Sequence, residues 1–130
     1  MTQLQSAEIS LRVPGEQSYA LVIRTMLGGV AILKDLDVDA MDDLRAAADE
    51  ACDCLLHQGA PVRALELSVR DAGKALAVSL EADMDEGAGA FTGDAEMTRA
   101  VLETLIPQVA LDVTAAGCIR RIDLTLPKAV

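Results

Sequence analysis

The chain has no tryptophan, one tyrosine (Tyr19), one phenylalanine (Phe91) and one histidine (His57). Its core must therefore be aliphatic, filled by Leu, Val, Ile, Ala and Met. A single His excludes a His-rich metal site. Three cysteines (Cys52, Cys54, Cys118) do not make a disulfide framework, so a reducing, cytoplasmic location is expected. Cations are scarce: 11 Lys and Arg stand against 21 Asp and Glu, a net charge of −10. The only adjacent basic pair is Arg120-Arg121. Nucleic acid and anionic membrane surfaces are poor partners for such a chain. No apolar run approaches the roughly 18 residues of a membrane span. Met1 to Arg12 lacks the basic-then-apolar order of a signal peptide. There is no phosphate-binding P-loop, and no Gly-x-Gly-x-x-Gly follows a strand. Asp83 to Gly87 begins like a calcium loop, but Ala88 and Asp94 stand where that loop needs Gly and Glu.

What is present is a globular balance. The 130 residues are 52% hydrophobic and 25% charged, which fits one domain over 1–130. Glu8 to Val13 alternates polar and apolar, the period of a strand, and Pro14-Gly15 stops it. From Glu16 to about Lys34, Tyr19, Val22, Ile23, Met26, Leu27, Val30 and Leu33 recur at helical spacing as one apolar face. Gly28-Gly29 inside that helix costs about 1 kcal/mol per Gly relative to Ala, which implies a bend or a close contact. Asp39 is the expected N-cap of a second helix reaching about His57, with Met41, Leu44, Ala48, Ala51, Cys52 and Leu55 inward. Strands follow at Leu65 to Val69 and Leu76 to Leu80, joined by a hairpin loop with Gly73 left-handed. Asp83 to Asp94 reads as a surface loop. A third helix covers Ala95 to about Ile106, with Val109 to Val113 and Ile122 to Leu126 closing the chain as a strand pair. The order β-α-α-β-β-α-β-β predicts an α+β two-layer sandwich, a mixed or mostly antiparallel sheet covered on one face by helices.

Cys52 and Cys54 cannot share an ion, because i and i+2 on a helix point about 200° apart. Cys52 falls on the buried stripe as a small core residue. On the neighbouring face Asp43, Ala47, Glu50, Cys54 and His57 line up. A carboxylate such as Glu50, held on a rigid helix at the core's edge, can serve as a general base. The same positions equally suit an amphipathic helix with an acidic border.

The run from Asp43 to His57, with Glu50-Ala51-Cys52 at its centre, resembles the second helix of the anti-sigma factor serine kinases. These have the histidine-kinase-like ATPase fold, also called the Bergerat fold. That helix typically reads acidic-Leu-Lys-x-Ala-x-x-Glu-Ala-Cys-Thr-Asn. The opening strand, the Tyr19 to Leu33 helix, Leu102 to Ile106 and the final strand resemble the same family, so the likeness covers nearly the whole chain. It implies ATP with Mg²⁺ as cofactor, and a sigma factor and an anti-anti-sigma protein as partners, with a homodimer as the usual state. The apolar first helix is a candidate dimer face.

By that resemblance Glu50 matches the catalytic base, and Asp83 matches the carboxylate that reads adenine. Three positions depart from the pattern. Cys54 replaces the Asn that holds Mg²⁺, and a thiol is a soft ligand for a hard ion. Asp85 stands two residues after Asp83, where Asp-x-Gly requires Gly. Glu96-Met97-Thr98 replaces a Gly-x-Gly element, leaving Gly87, Gly89 and Gly93 as a shortened lid or a plain loop. Lys74 and Arg99 are the nearest cations. Like charges about 4 Å apart cost about 1 kcal/mol in water and about 4 near a protein surface. The expectation is a regulatory protein that binds a sigma factor or an anti-anti-sigma partner, with nucleotide binding weakened or lost. The alternative is an active ATP-dependent serine kinase.

Overall fold

The computed structural model describes residues 7–85 and 94–128. The elements follow in the expected order. They are β1 (Ile9–Pro14), a 3-10 turn (Gln17–Tyr19), α1 (Ala20–Leu33), α2 (Val38–Leu56), β2 (Val62–Asp71), β3 (Ala75–Met84), α3 (Ala95–Glu103), β4 (Gln108–Val113) and β5 (Ile119–Pro127). The five strands form one sheet in the order β1-β2-β3-β5-β4, and every neighbouring pair is antiparallel. The helices pack on one face of it.

Strand alternation decides the two faces. On β3, Leu76, Val78, Leu80, Ala82 and Met84 are all buried under the helices. Leu65, Leu67 and Val69 of β2 and Ile122, Leu124 and Leu126 of β5 join them. Each fully buried Leu or Ile contributes about 1.5–3 kcal/mol, so aliphatic side chains alone suffice for this core. The opposite face is polar. Arg12, Glu66, Glu81 and Arg121 lie in successive register across it, with Ser68 and Ser79 in the next row.

Several details differ from the sequence reading. Helix α2 is capped by Asp37, whose carboxylate accepts from Ala40 N at 2.8 Å, and Asp39 lies inside the first turn. Helix α1 ends earlier in a tight motif. Leu36 N donates to Ala31 O at 3.0 Å, and Asp35 takes the left-handed conformation (φ 60) usually given to glycine. The third helix stops at Glu103. Gly28-Gly29 neither interrupts α1 nor fills a tight contact: a Cβ on Gly29 would meet nothing within 4 Å, and one on Gly28 only Arg45 Cδ at 3.9 Å. The inward face of α1 also differs. Ala20, Ile23, Leu27, Val30 and Ala31 are buried, while Val22 and Leu33 face outward. The expected Ile23, Leu27 and Val30 are buried and Tyr19 and Met26 pack beside them, so the face is shifted rather than replaced. The small Ala20 and Ala31 let the helix approach the core.

Gln58, at the end of α2, is 1% exposed. Its amide oxygen accepts from Ile119 N at 2.8 Å and its Nε2 donates to Ile119 O at 2.5 Å. The side chain thus pairs with β5 as a neighbouring strand would. Gln58→Ala leaves a buried N–H and C=O unpaired and is expected to destabilise the chain by about 2 kcal/mol, read from urea unfolding. At the other end of the sheet, Asp71 accepts from Lys128 Nζ at 2.8 Å, Gly73 N at 3.0 Å and Lys34 Nζ at 3.2 Å. Lys128, then the Gly73 amide, then Lys34 hold its carboxyl well below the usual carboxylate range. A carboxyl depressed in the folded state stabilises above the unfolded value of about 3.9 and ceases to do so as pH falls below it. The stability gap between the native chain and Asp71→Asn is therefore expected to be constant from pH 7 to 5 and to narrow progressively as pH falls below about 4.

Candidate functional site

Helix α2 carries the candidate residues because one of its faces is nearly all small or aliphatic. Leu44, Ala47, Ala48, Ala51, Cys52 and Leu55 are buried. That docking turns Glu50 and Cys54, one turn apart, toward α3 at the border of the core. Glu50 is half-buried and makes no hydrogen bond or ion pair with the described residues. A carboxylate so placed has its lone pairs available. Cys54 is half-buried, with Sγ 3.4 Å from Thr98 Oγ1 of α3. Burial pushes its thiol above the ordinary value, against the Thr98 contact, and the charges of Glu50 and Asp53 push the same way as burial. The neutral thiol that results is unsuited to Mg²⁺, which requires oxygen ligands at about 2.0–2.1 Å. Among the described residues no cluster of three His, Cys, Asp or Glu side chains is arranged to hold a metal.

Helix α3 presents its N-terminus beside this border, yet its amides are engaged. Asp94 caps the helix with its own carboxylate, accepting from Glu96 N and Met97 N, each at 3.1 Å. An incoming phosphate would have to displace that carboxylate and meet Glu96 in the first turn. Of the two cations singled out in the sequence, Arg99 donates to Val109 O at 3.2 Å, and Lys74 lies in the exposed β2–β3 turn.

Asp83 is not brought to this place. Ala82 and Met84 on either side of it are buried toward the helices, so Asp83 projects from the opposite face. There it accepts from Arg12 Nη2 and Arg63 Nη2, each at 2.8 Å. Arg12 first, then Arg63, hold its carboxyl below the usual range. Turning it inward would slip the register by one and expose Leu80, Ala82 and Met84. The structure therefore separates Asp83 from Glu50 and Cys54. Asp85, exposed, follows the end of β3, and its N–H donates to Pro61 O at 3.4 Å. Leaving the strand frees it from the parity that fixes Asp83. The sequence held a signal for this: Asp85-Glu86-Gly87 itself spells Asp-x-Gly. Gly87, Gly89 and Gly93 lie outside the described residues.

The thiols provide a direct check. Cys52 is completely buried, and burial together with Asp49 and Asp53 pushes its thiol up to about 12. At pH 8, Cys54 is expected to react with a disulfide reagent several-fold more slowly than a free thiol, and Cys52 only on unfolding. Thr98→Val removes the one contact that lowers the Cys54 value and should slow Cys54 further.

No family model matches the chain. It is 36% identical over 61 residues to the anti-sigma-F factor RsbW of Mycobacterium tuberculosis, in strains CDC 1551 / Oshkosh and H37Rv alike. The match covers 47% of this chain and 36% of RsbW, so it spans about a third of that relative's length. A crystal structure of the RsbU and RsbW domains of Rv1364c from M. tuberculosis superposes with a TM-score of 0.63 at 14% identity, covering 92% of this chain and 32% of that one. At that identity the superposition shows a shared fold. In the matched stretch the chain is similar in sequence to the anti-sigma-F factor RsbW, and its helix-covered antiparallel sheet is the fold it shares with the RsbU–RsbW structure.

Proposed function

We propose that this chain is an anti-sigma-like regulator of transcription that acts by holding a protein partner in the cytoplasm, a sigma factor or an anti-anti-sigma protein, with its nucleotide chemistry depleted. The observation that carries the reading is Cys54. A neutral thiol, 3.4 Å from Thr98, stands where the resemblance calls for a magnesium-holding amide. Asp94, which occupies the α3 amides, and Glu96 beside it add to the case. Release of the partner would then follow from competition between partners rather than from phosphorylation.

A second reading, an active serine kinase, has its own support. Among the described residues Glu50 makes no hydrogen bond or ion pair, and Asp85 heads an Asp-x-Gly sequence at the end of β3. Under it Glu50 is the base and Asp85, not Asp83, reads adenine.

Isothermal titration separates the two. With Mg²⁺ present, ATP and ADP are expected to give no saturable heat below millimolar concentration, and Cys54→Asn is expected to bind at least tenfold more tightly. Micromolar binding by the native chain, lost in Asp85→Asn and kept in Asp83→Asn, would establish the kinase reading instead. Phosphate transfer from labelled ATP to anti-anti-sigma proteins of the same organism, abolished by Glu50→Gln, would complete it.

A further inference from the structure

The face of the sheet turned away from the helices holds a cavity of about 340 Å³. That lies within the size range of small-ligand clefts, about 300–1,000 Å³. Ser68 and Arg70 of β2, Ala77, Ser79 and Glu81 of β3, and Thr125 of β5 line it. The hollow follows from register. Ser68 stands opposite Ser79, and Ala77 stands between Arg70 and Thr125, so small side chains meet over the central strands. Longer ones rise at the two ends. Arg70 lies in the row of Ala77, and Glu81 is four residues further along β3, about 13 Å away along the strand.

The neighbouring charges on this face are paired. Arg12 meets Glu66 and Asp83, Arg63 meets Asp83, and Arg121 meets Asp123. The side chains of Arg70 and Glu81 make no hydrogen bond or ion pair with the described residues. Glu81 stands in register with Arg121, whose Nε is turned to Asp123 at 3.2 Å. The hydroxyls of Ser68, Ser79 and Thr125 also have no partner among the described residues. One cavity is thus faced by an unpaired charge of each sign and three unused hydroxyls. An anion there would meet Glu81 and Asp123, and a simple cation would meet Arg70 and Arg121. A molecule carrying both charges matches both ends. We infer that this cavity binds a small zwitterion, an amino acid whose ammonium and carboxylate are a few bonds apart. Its carboxylate sits on the Arg70 guanidinium, which offers paired N–H donors. Its ammonium sits on Glu81, and the hydroxyls take the remaining hydrogen bonds. The cavity lies across the sheet from Glu50 and Cys54, so it is independent of the nucleotide chemistry.

The test is amide NMR of the full chain titrated with three zwitterions of increasing length: glycine, 4-aminobutyrate and 6-aminohexanoate. Water reaches both charged ends, which weakens each ion pair, so affinity in the millimolar range is expected. At least one of the three is expected to give saturable shifts at Ser68, Ala77, Ser79 and Thr125. Analogues of that compound lacking one charge (butyrate and butylamine, in the case of 4-aminobutyrate) are expected to bind several-fold more weakly. Arg70→Gln and Glu81→Gln are each expected to cost several-fold in affinity, and the double variant to abolish saturation. Neither side chain holds a partner, so unchanged circular dichroism and melting serve as the folding control. Equal binding of the one-charge analogues, shifts mapped elsewhere, or no saturation by any of the three zwitterions in the millimolar range would overturn the inference. Affinity left unchanged in both single variants would do so too. So would a dimer in sedimentation that Ser79→Arg dissolves, since a second copy would then cover the cavity.

Discussion

Close approach of α2 to the sheet is the constraint on which the rest depends. Ala47, Ala48, Ala51 and Cys52 are nearly or wholly inaccessible to solvent, and they present little bulk between helix and strands. The helix touches α1, α3, β2, β3 and β5, so its position fixes theirs. Larger residues at those four places would lift it and open the core, because interiors tolerate little change in volume. Gln58 then locks the end of the helix to β5 through two hydrogen bonds in a dry environment. With the helix held at both ends and along one face, Glu50 and Cys54 have no freedom to face anywhere but α3.

The sheet imposes a second constraint, its parity of two. Alternate residues of β3 serve the core without exception, and a charge at any intervening position must leave by the other face. Asp83 does so and finds Arg12 and Arg63 there. Exposed pairs of this kind contribute modestly to stability. What holds Asp83 away from α2 is the burial of Ala82 and Met84 on either side, not the strength of its ion pairs.

These constraints divide the molecule into regions of different chemistry. The edge of α2 toward α3 carries Glu50 and the neutral Cys54 thiol, and the Asp94 carboxylate occupies two amides of α3. The outward side of α1 exposes Leu21, Val22, Ile32 and Leu33. The open face of the sheet is a mosaic of both signs.

The order of the elements, the antiparallel pairings and most of the core were legible in the residues, because periods of 2 and 3.6 survive in any context. Glu50 and Cys54 were legible as neighbours for the same reason, four residues being one turn. Periodicity placed Tyr19, Ile23, Met26, Leu27 and Val30 of the first helix against the core, while Val22 and Leu33 face outward and the small Ala20 and Ala31 take up the rest of the buried face. Local composition marked Asp39 as a cap, while the path of the chain from Leu36 gave the task to Asp37. Gln58 read only as the end of a helix, because its partner, Ile119, lies 61 residues away. Asp83, matched to the adenine-reading carboxylate by resemblance, points away from α2 because the alternate residues Leu80, Ala82 and Met84 fill the core. The sequence by itself determined which elements form and in what order, since those follow from local spacing. Tertiary structure alone decided that Gln58 meets Ile119 and that Asp37 caps the second helix, since only the path of the chain and packing against distant residues bring those groups together.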